Sequence, residues 1–264
     1  MTLGPKRRKI KTNNNTCELI SQLSTSNFKE TPKISSMSFF TAIATSNRAV
    51  HHLESGDLGS AVSCLSSALK MIKEAITEVL SAVDSKCTSQ DSCEGQAVST
   101  EPVFISCKFM LQSSYVFTYA SRISTKDLVQ GTDTCNTISA IIVYHLALVH
   151  HLQAVETEGS LESFTCLQKA VRLYEHSYKL HMNVNGPLDD RRAMGLLNNL
   201  AHVNHMLHDE TKADKCWQML LSLILYVREY GAAKDQEESR SEVHGFLTNV
   251  SYLMLKESVS SPAA

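Results

Sequence analysis

The chain has 264 residues, 43% hydrophobic and 20% charged, with a formal net charge of -2. That length buries a core without disulfide or metal staples, and only 10 Gly and 5 Pro disfavour a turn-rich all-β fold and exclude a collagen-like one. The first 50 residues carry 8 Lys+Arg against 2 Asp+Glu and the other 214 carry 17 against 25, so the acidic body does not suit a general phosphate-backbone binder.

Residues 1–36 have no sustained period and many Ser, Thr and Asn, which predicts a disordered basic and polar tail. Its cations cluster at Lys6, Arg7, Arg8, Lys9 and Lys11. No apolar stretch follows, so the cluster does not read as a secretory signal. It reads as a nuclear-import signal or as a solvated tail. An organelle transit peptide is a third reading, against which Glu18 and Glu30 weigh. The expected location is the nucleus or cytoplasm, a reducing compartment. Eight cysteines without a Cys-x-x-Cys pair are then expected as free thiols. No apolar run approaches 18 residues, so no membrane crossing is expected.

From Ser38 a helical period begins, with Phe39, Phe40, Ile43, Val50 and Leu53 at steps of three and four. Gly56-Asp57 ends that helix and opens the next, which runs to about Val83. Residues 84–101 form a polar linker. Val103 to Cys107 and Tyr115 to Tyr119 are β-branched and aromatic. They predict two short strands, a β-hairpin insertion at about 102–122 within an irregular stretch 102–135. Helices are expected over 137–156, 161–182, 188–207, 210–230 and 236–256. Asn185-Gly186-Pro187 breaks the third pair from the second. The helical domain spans 37–257, and 258–264 fray.

Three helix pairs share a pattern. The first reads Asn47-x-Ala49, Gly56-Asp57, Ala61, Leu65, Ala68-Leu69. The third reads Asn199-Leu200-Ala201, His208-Asp209, Ala213, Trp217, Leu220-Leu221. The second reads Leu146-Ala147, Ala170, Tyr174, Ser177, with 11 extra residues placed in its inter-helix turn around Glu156 to Ser163. Small residues let paired helices approach, and large ones fill the groove to the next pair.

This pattern resembles the tetratricopeptide (TPR) repeat, over about half of the chain. The spacing from Ala170 to Ala213 is nearer the repeat of kinesin light chains than the shorter common form. The chain also resembles short TPR-like proteins of diatoms, which brings no activity with it. Arg48, His52 and Asn204 depart from the pattern, standing where the repeat usually has a large apolar residue. The resemblance implies an all-α, antiparallel helix-pair solenoid with a C-terminal capping helix. It also implies that the first helix of each pair lines a concave groove. Carried onto this sequence, that groove shows Ile43, Ser46, Val50 and Leu53 from pair one. Pair two gives Tyr144, Leu148 and His151, and pair three Asn198, His202 and His205. Such a face suits a partner's extended peptide or amphipathic helix. The alternative is that it packs on the chain's own last helix or on the 102–122 segment.

No phosphate loop, G-x-S-x-G or H-E-x-x-H occurs. Asp189-Asp190 beside Arg191-Arg192 reads as carboxylates favouring a helix dipole. His151, His202 and His205 share the concave side, but no Cys or carboxylate completes a four-ligand set. We therefore assign no catalytic residue, no metal and no cofactor. The leading expectation is a non-catalytic protein-interaction scaffold. The rivals are an enzyme with an unrecognised helical active site and a nucleic-acid-binding helical repeat, the latter disfavoured because the groove positions hold no Lys or Arg.

Overall fold

Three short turns organise the molecule, and each is built the same way. A residue with positive φ is followed at once by a helix N-cap: Gly56 (φ 77) then Asp57, Gly159 (φ 80) then Ser160, His208 (φ 60) then Asp209. The left-handed residue ends one helix. The cap's side-chain oxygen then accepts an N–H of the next helix's first turn. Asp57 Oδ1 accepts from Ser60 at 3.0 Å, Ser160 Oγ from Ser163 at 3.0 Å and Asp209 Oδ1 from Lys212 at 3.2 Å. In the first and third turns the backbone also closes a Schellman pair. Asp57 N–H donates to His52 O and Gly56 N–H to Leu53 O, as Asp209 does to Asn204 and His208 to His205.

These turns join α1 (Ser36–Glu54) to α2 (Leu58–Val83), α3 (Thr132–Glu156) to α4 (Leu161–Met182) and α5 (Asp190–Met206) to α6 (Glu210–Tyr230). Turns this short make antiparallel helical hairpins. The hairpins stack in chain order, α2 against α3 and α4 against α5. A further helix, α7, covers 243–251. The computed structural model describes residues 36–83, 98–105, 116–125, 132–182, 190–230 and 243–251. The basic cluster Lys6 to Lys11, the tail 1–35, most of the linker 84–101 and the C-terminal 258–264 lie outside the described residues. The described part is mostly helical, in keeping with the expected all-α class, with one two-stranded sheet.

The small residues expected between the helices of pairs one and three, Ala49, Ala61, Ala201 and Ala213, are fully buried, and Leu65 and Trp217 are buried with them. The second pair differs from its predicted register. Its turn holds four residues, 157–160, against three in the others, so the 11 extra residues are not there. The small residue of its first turn is Ser163, not Ala170. Ser163 is buried and its hydroxyl donates to Ala154 O at 2.8 Å, which lets a polar side chain occupy an alanine's place.

Helix α3 is central. Residues 138–149 are buried without a break. By length and composition Thr134–Glu156 is apolar enough to cross a membrane, yet 89% of its apolar window is buried inside the protein. A helix enclosed by neighbours on all sides needs an all-round apolar surface.

The hairpin insertion is present with shifted bounds. β1 is Thr100–Phe104 and β2 is Tyr119–Ile123, antiparallel, with Pro102 opposite Ser121 and Phe104 opposite Tyr119. The second strand begins four residues later than the predicted Tyr115, and β1 takes in the last two residues of the predicted linker. β2 lies against α1 and α3.

Candidate functional site

An edge strand leaves a row of N–H and C=O groups unpaired unless something covers it. Ile105 N–H donates to Thr118 O, and Ser124 N–H to Ser99 O, both at 3.0 Å. In an antiparallel ladder, alternate residues point their backbone groups at the partner strand. The even residues 118 to 124 therefore face β1, and residues 117, 119, 121 and 123 turn theirs toward the helices.

Side chains from the first helix of each pair meet that second edge. Asn47 on α1 reads Ile123 with two prongs: its Nδ2 donates to Ile123 O at 2.9 Å and its Oδ1 accepts Ile123 N–H at 2.8 Å. Asn199 on α5 treats Phe117 the same way, at 2.9 and 2.8 Å. Between them, His145 Nε2 on α3 accepts Ser121 N–H at 2.9 Å. Burial, with Arg192 as the lesser cause, holds His145 down to about 3. It is neutral at pH 7, and its Nε2 lone pair is free to accept. Three helices thus hold one extended strand by its main chain.

Side chains fix the register. The Phe117 ring lies on Gly195 of α5, where an added Cβ would sit 2.0 Å from Phe117 Cδ1. Its centroid is 5.1 Å from that of Tyr119 and 5.4 Å from that of Phe246 on α7. At the other end Arg122 pairs with Glu54.

Behind Asn199 runs a buried polar chain. Asn249 Nδ2 donates to Asn198 Oδ1 at 2.7 Å, and Asn198 Nδ2 to Asn199 Oδ1 at 3.2 Å. Asn199 Nδ2 donates to the Tyr174 hydroxyl at 3.2 Å. Tyr174 then lies 3.3 Å from His151 Nδ1, and His151 Nε2 2.8 Å from His202 Nδ1. One consistent assignment has the Tyr174 hydroxyl donating to His151 and His151 Nε2–H donating to His202. Burial, and then the His202 ring, pushes His151 well below 6.5, and burial, and then the His205 ring, pushes His202 down to about 4.

The ten predicted groove residues therefore do not line an open groove. Ile43, Ser46, Val50, Leu53, Leu148, His151 and Asn198 are 0% exposed, and Tyr144 and His202 only 3%. Only His205 is half-buried, paired with Glu210 at 3.1 Å. The reason is self-packing: Tyr144 donates to Phe117 O at 3.4 Å, and Asn198 is held by Asn249 of α7. The chain's own strand and last helix pack against these side chains.

The histidines do not converge on a common point, since His151 and His202 bond each other and His205 turns to Glu210. Among the described residues no group of three or more His, Cys, Asp or Glu is placed to hold a metal. The thiols Cys135 and Cys216 are pushed up by burial to about 12 and about 11, which leaves them protonated and unreactive. Sequence reasoning named neither His145 nor Gly195 and did not give Asn47 and Asn199 their role. One signal was available, because each asparagine stands ten residues before its N-cap, Asp57 or Asp209.

Comparison of the chain with protein-family models, curated proteins and solved structures finds no match.

Proposed function

We propose that the protein is a non-catalytic, TPR-like protein-interaction scaffold whose concave face holds an extended peptide by its backbone. The observation that carries this reading is the two-pronged contact of Asn47 and Asn199 with Ile123 and Phe117. Main-chain contacts of this kind give affinity largely independent of sequence, and a pocket such as the one over Gly195 adds selectivity for an aromatic anchor. The internal strand acts as the resident ligand, and a partner's extended segment with a similarly placed aromatic residue replaces it.

Ser121→Pro tests this. It removes the N–H given to His145, together with the Ser121 hydroxyl, and takes nothing from the ladder, because the backbone of residue 121 points away from β1. A fluorescent peptide of residues 116–125 is expected to bind this variant in trans and not the parent, by anisotropy. Asn199→Leu in the same background is expected to abolish binding. A variant with parental helix content by circular dichroism and no affinity for the peptide refutes the reading.

A further inference from the structure

Helix α6 turns one face inward, where Ala213, Trp217, Leu220 and Ile224 are buried. Half a turn round the helix run Lys215, Met219, Ser222, Tyr226 and Glu229, all five exposed. Their steps of four, three, four and three are those of a coiled-coil seam. Met219 is 44% exposed, and Tyr226 keeps 57% of its surface exposed beside its other contacts. A single exposed apolar side chain is ordinary, but this row is ordered. It reads cation, apolar, small, apolar, anion, matched in size about Ser222 and opposite in charge at its two ends. The Ser222 hydroxyl donates to Gln218 O at 2.9 Å, so its polar group is satisfied within its own helix and can be covered. Neither Lys215 nor Glu229 forms an ion pair among the described residues. Lys215 is the least of the causes acting on Asp209, whose ion-pair partner is Lys212 at 2.9 Å.

We propose that this stripe pairs with the same stripe of a second copy of the chain, the two α6 helices lying antiparallel about a two-fold axis at Ser222. The pattern selects both the occupant and the direction. A two-fold contact sets residue i of one copy against residue j of the other, and j against i. With Ser222 on the axis, Lys215 of each copy meets Glu229 of the other, and Met219 of each meets Tyr226 of the other. Thioether against aromatic ring is a favourable contact. Ser222 meets itself, and its small side chain lets the two backbones approach. A parallel pair in register sets Lys215 against Lys215 and Glu229 against Glu229, which excludes it by repulsion. An unrelated partner requires none of this symmetry. Lys215 to Glu229 spans about 21 Å of helix axis. One helix pair of that length buries less than the roughly 800 Å2 per partner of a standard interface. The association is therefore weak and concentration-dependent, with a Kd of about 10–100 μM. It is independent of the concave face, because α6 is the second helix of its pair and the strand is held by residues of the first helices.

Sedimentation equilibrium of the full chain from about 1 to 500 μM is the test, with circular dichroism of every variant to check its helix content. The expected result is a reversible monomer–dimer equilibrium. Lys215→Glu and Glu229→Lys each turn two attractions into two repulsions, and each is expected to weaken the dimer about fivefold or more. An equimolar mixture of these two variants is expected to associate as mixed dimers better than either does alone, since opposite charges then face each other at both ends. Ser222→Arg puts bulk and charge on the axis at an exposed position, and is expected to leave a folded monomer. A monomer at about 500 μM overturns the proposal, whether the stripe is bare or covered by the chain's own residues. So does a dimer that Ser222→Arg leaves intact at parental helix content. So does a mixture of the two charge variants that associates no better than either alone.

Discussion

Glycine inside a helix costs about 1 kcal/mol relative to alanine, so Gly195 stands in α5 for a reason other than helix stability. That reason is the Phe117 ring, whose Cδ1 occupies the place of a side chain. Gly195→Ala is therefore expected to destabilise the protein by about 1–3 kcal/mol despite its better propensity, as overpacking does. Phe117→Ala is expected to cost about 3–5 kcal/mol. The double variant should cost less than the two added together, because the new methyl enters the space the ring vacates. Urea midpoints of the four proteins measure this, and strict additivity would refute the contact. Asn199 shows the same economy of placement: both N–H groups of its amide and both lone pairs of its oxygen are used. Neither fact was legible in the sequence. An asparagine inside an apolar helix reads as an interruption until the strand it satisfies is known, and a lone helical glycine reads as a weak point.

At the scale of elements, the turns were the most legible part. Gly56-Asp57 and His208-Asp209 announced their helix ends because a left-handed residue followed by a side-chain cap is a local device. The three turns are not equally relaxed, since only His208 carries a Cβ at positive φ. His208→Gly is expected to stabilise by up to about 1 kcal/mol, the relief of left-handed strain less the added freedom of the unfolded chain. Gly56→Ala, with open space around it but the same backbone demand, is expected to cost about 1 kcal/mol. Thermal unfolding of each variant decides both signs. Two element-level expectations differ from the structure for physical reasons. The spacing of small apolar residues aligns the second pair on Ala170, whereas Ser163 meets the steric need and bonds Ala154 O. The strand-like side chains of Tyr115 to Tyr119 predict an earlier second strand, whereas pairing continues to Ile123, where Asn47 supplies what a third strand otherwise would.

For the whole molecule, the buried imidazoles set the response to acid. His145 lies near 3, His150, His176 and His202 near 4 and His151 well below 6.5, burial being the main cause in each. All five bind protons at about 6.5 when the chain is unfolded. Between pH 6.5 and about 4 the unfolded state thus holds more protons than the native one, and stability falls as pH falls. Five such groups give a limiting slope of roughly 7 kcal/mol per pH unit. Urea midpoints are expected to be flat above pH 7 and to drop steeply from pH 6 to 5, and His145→Gln should remove about a fifth of the slope. A flat profile down to pH 4.5 would show that these rings are not buried neutral. The sequence displayed the histidines but not their burial, which depends on a strand and a last helix packing over them. That packing joins Phe117 to Asn199 across 82 residues, which gives the molecule a history as well as a shape. During synthesis at about 5–20 residues per second, β2 waits about 4–15 s for α5 to be made. Throughout that interval the strand lacks its anchor, and a neighbouring chain on the same messenger carries an identical one. Exchange of hairpins between nascent copies is the misassembly this topology invites.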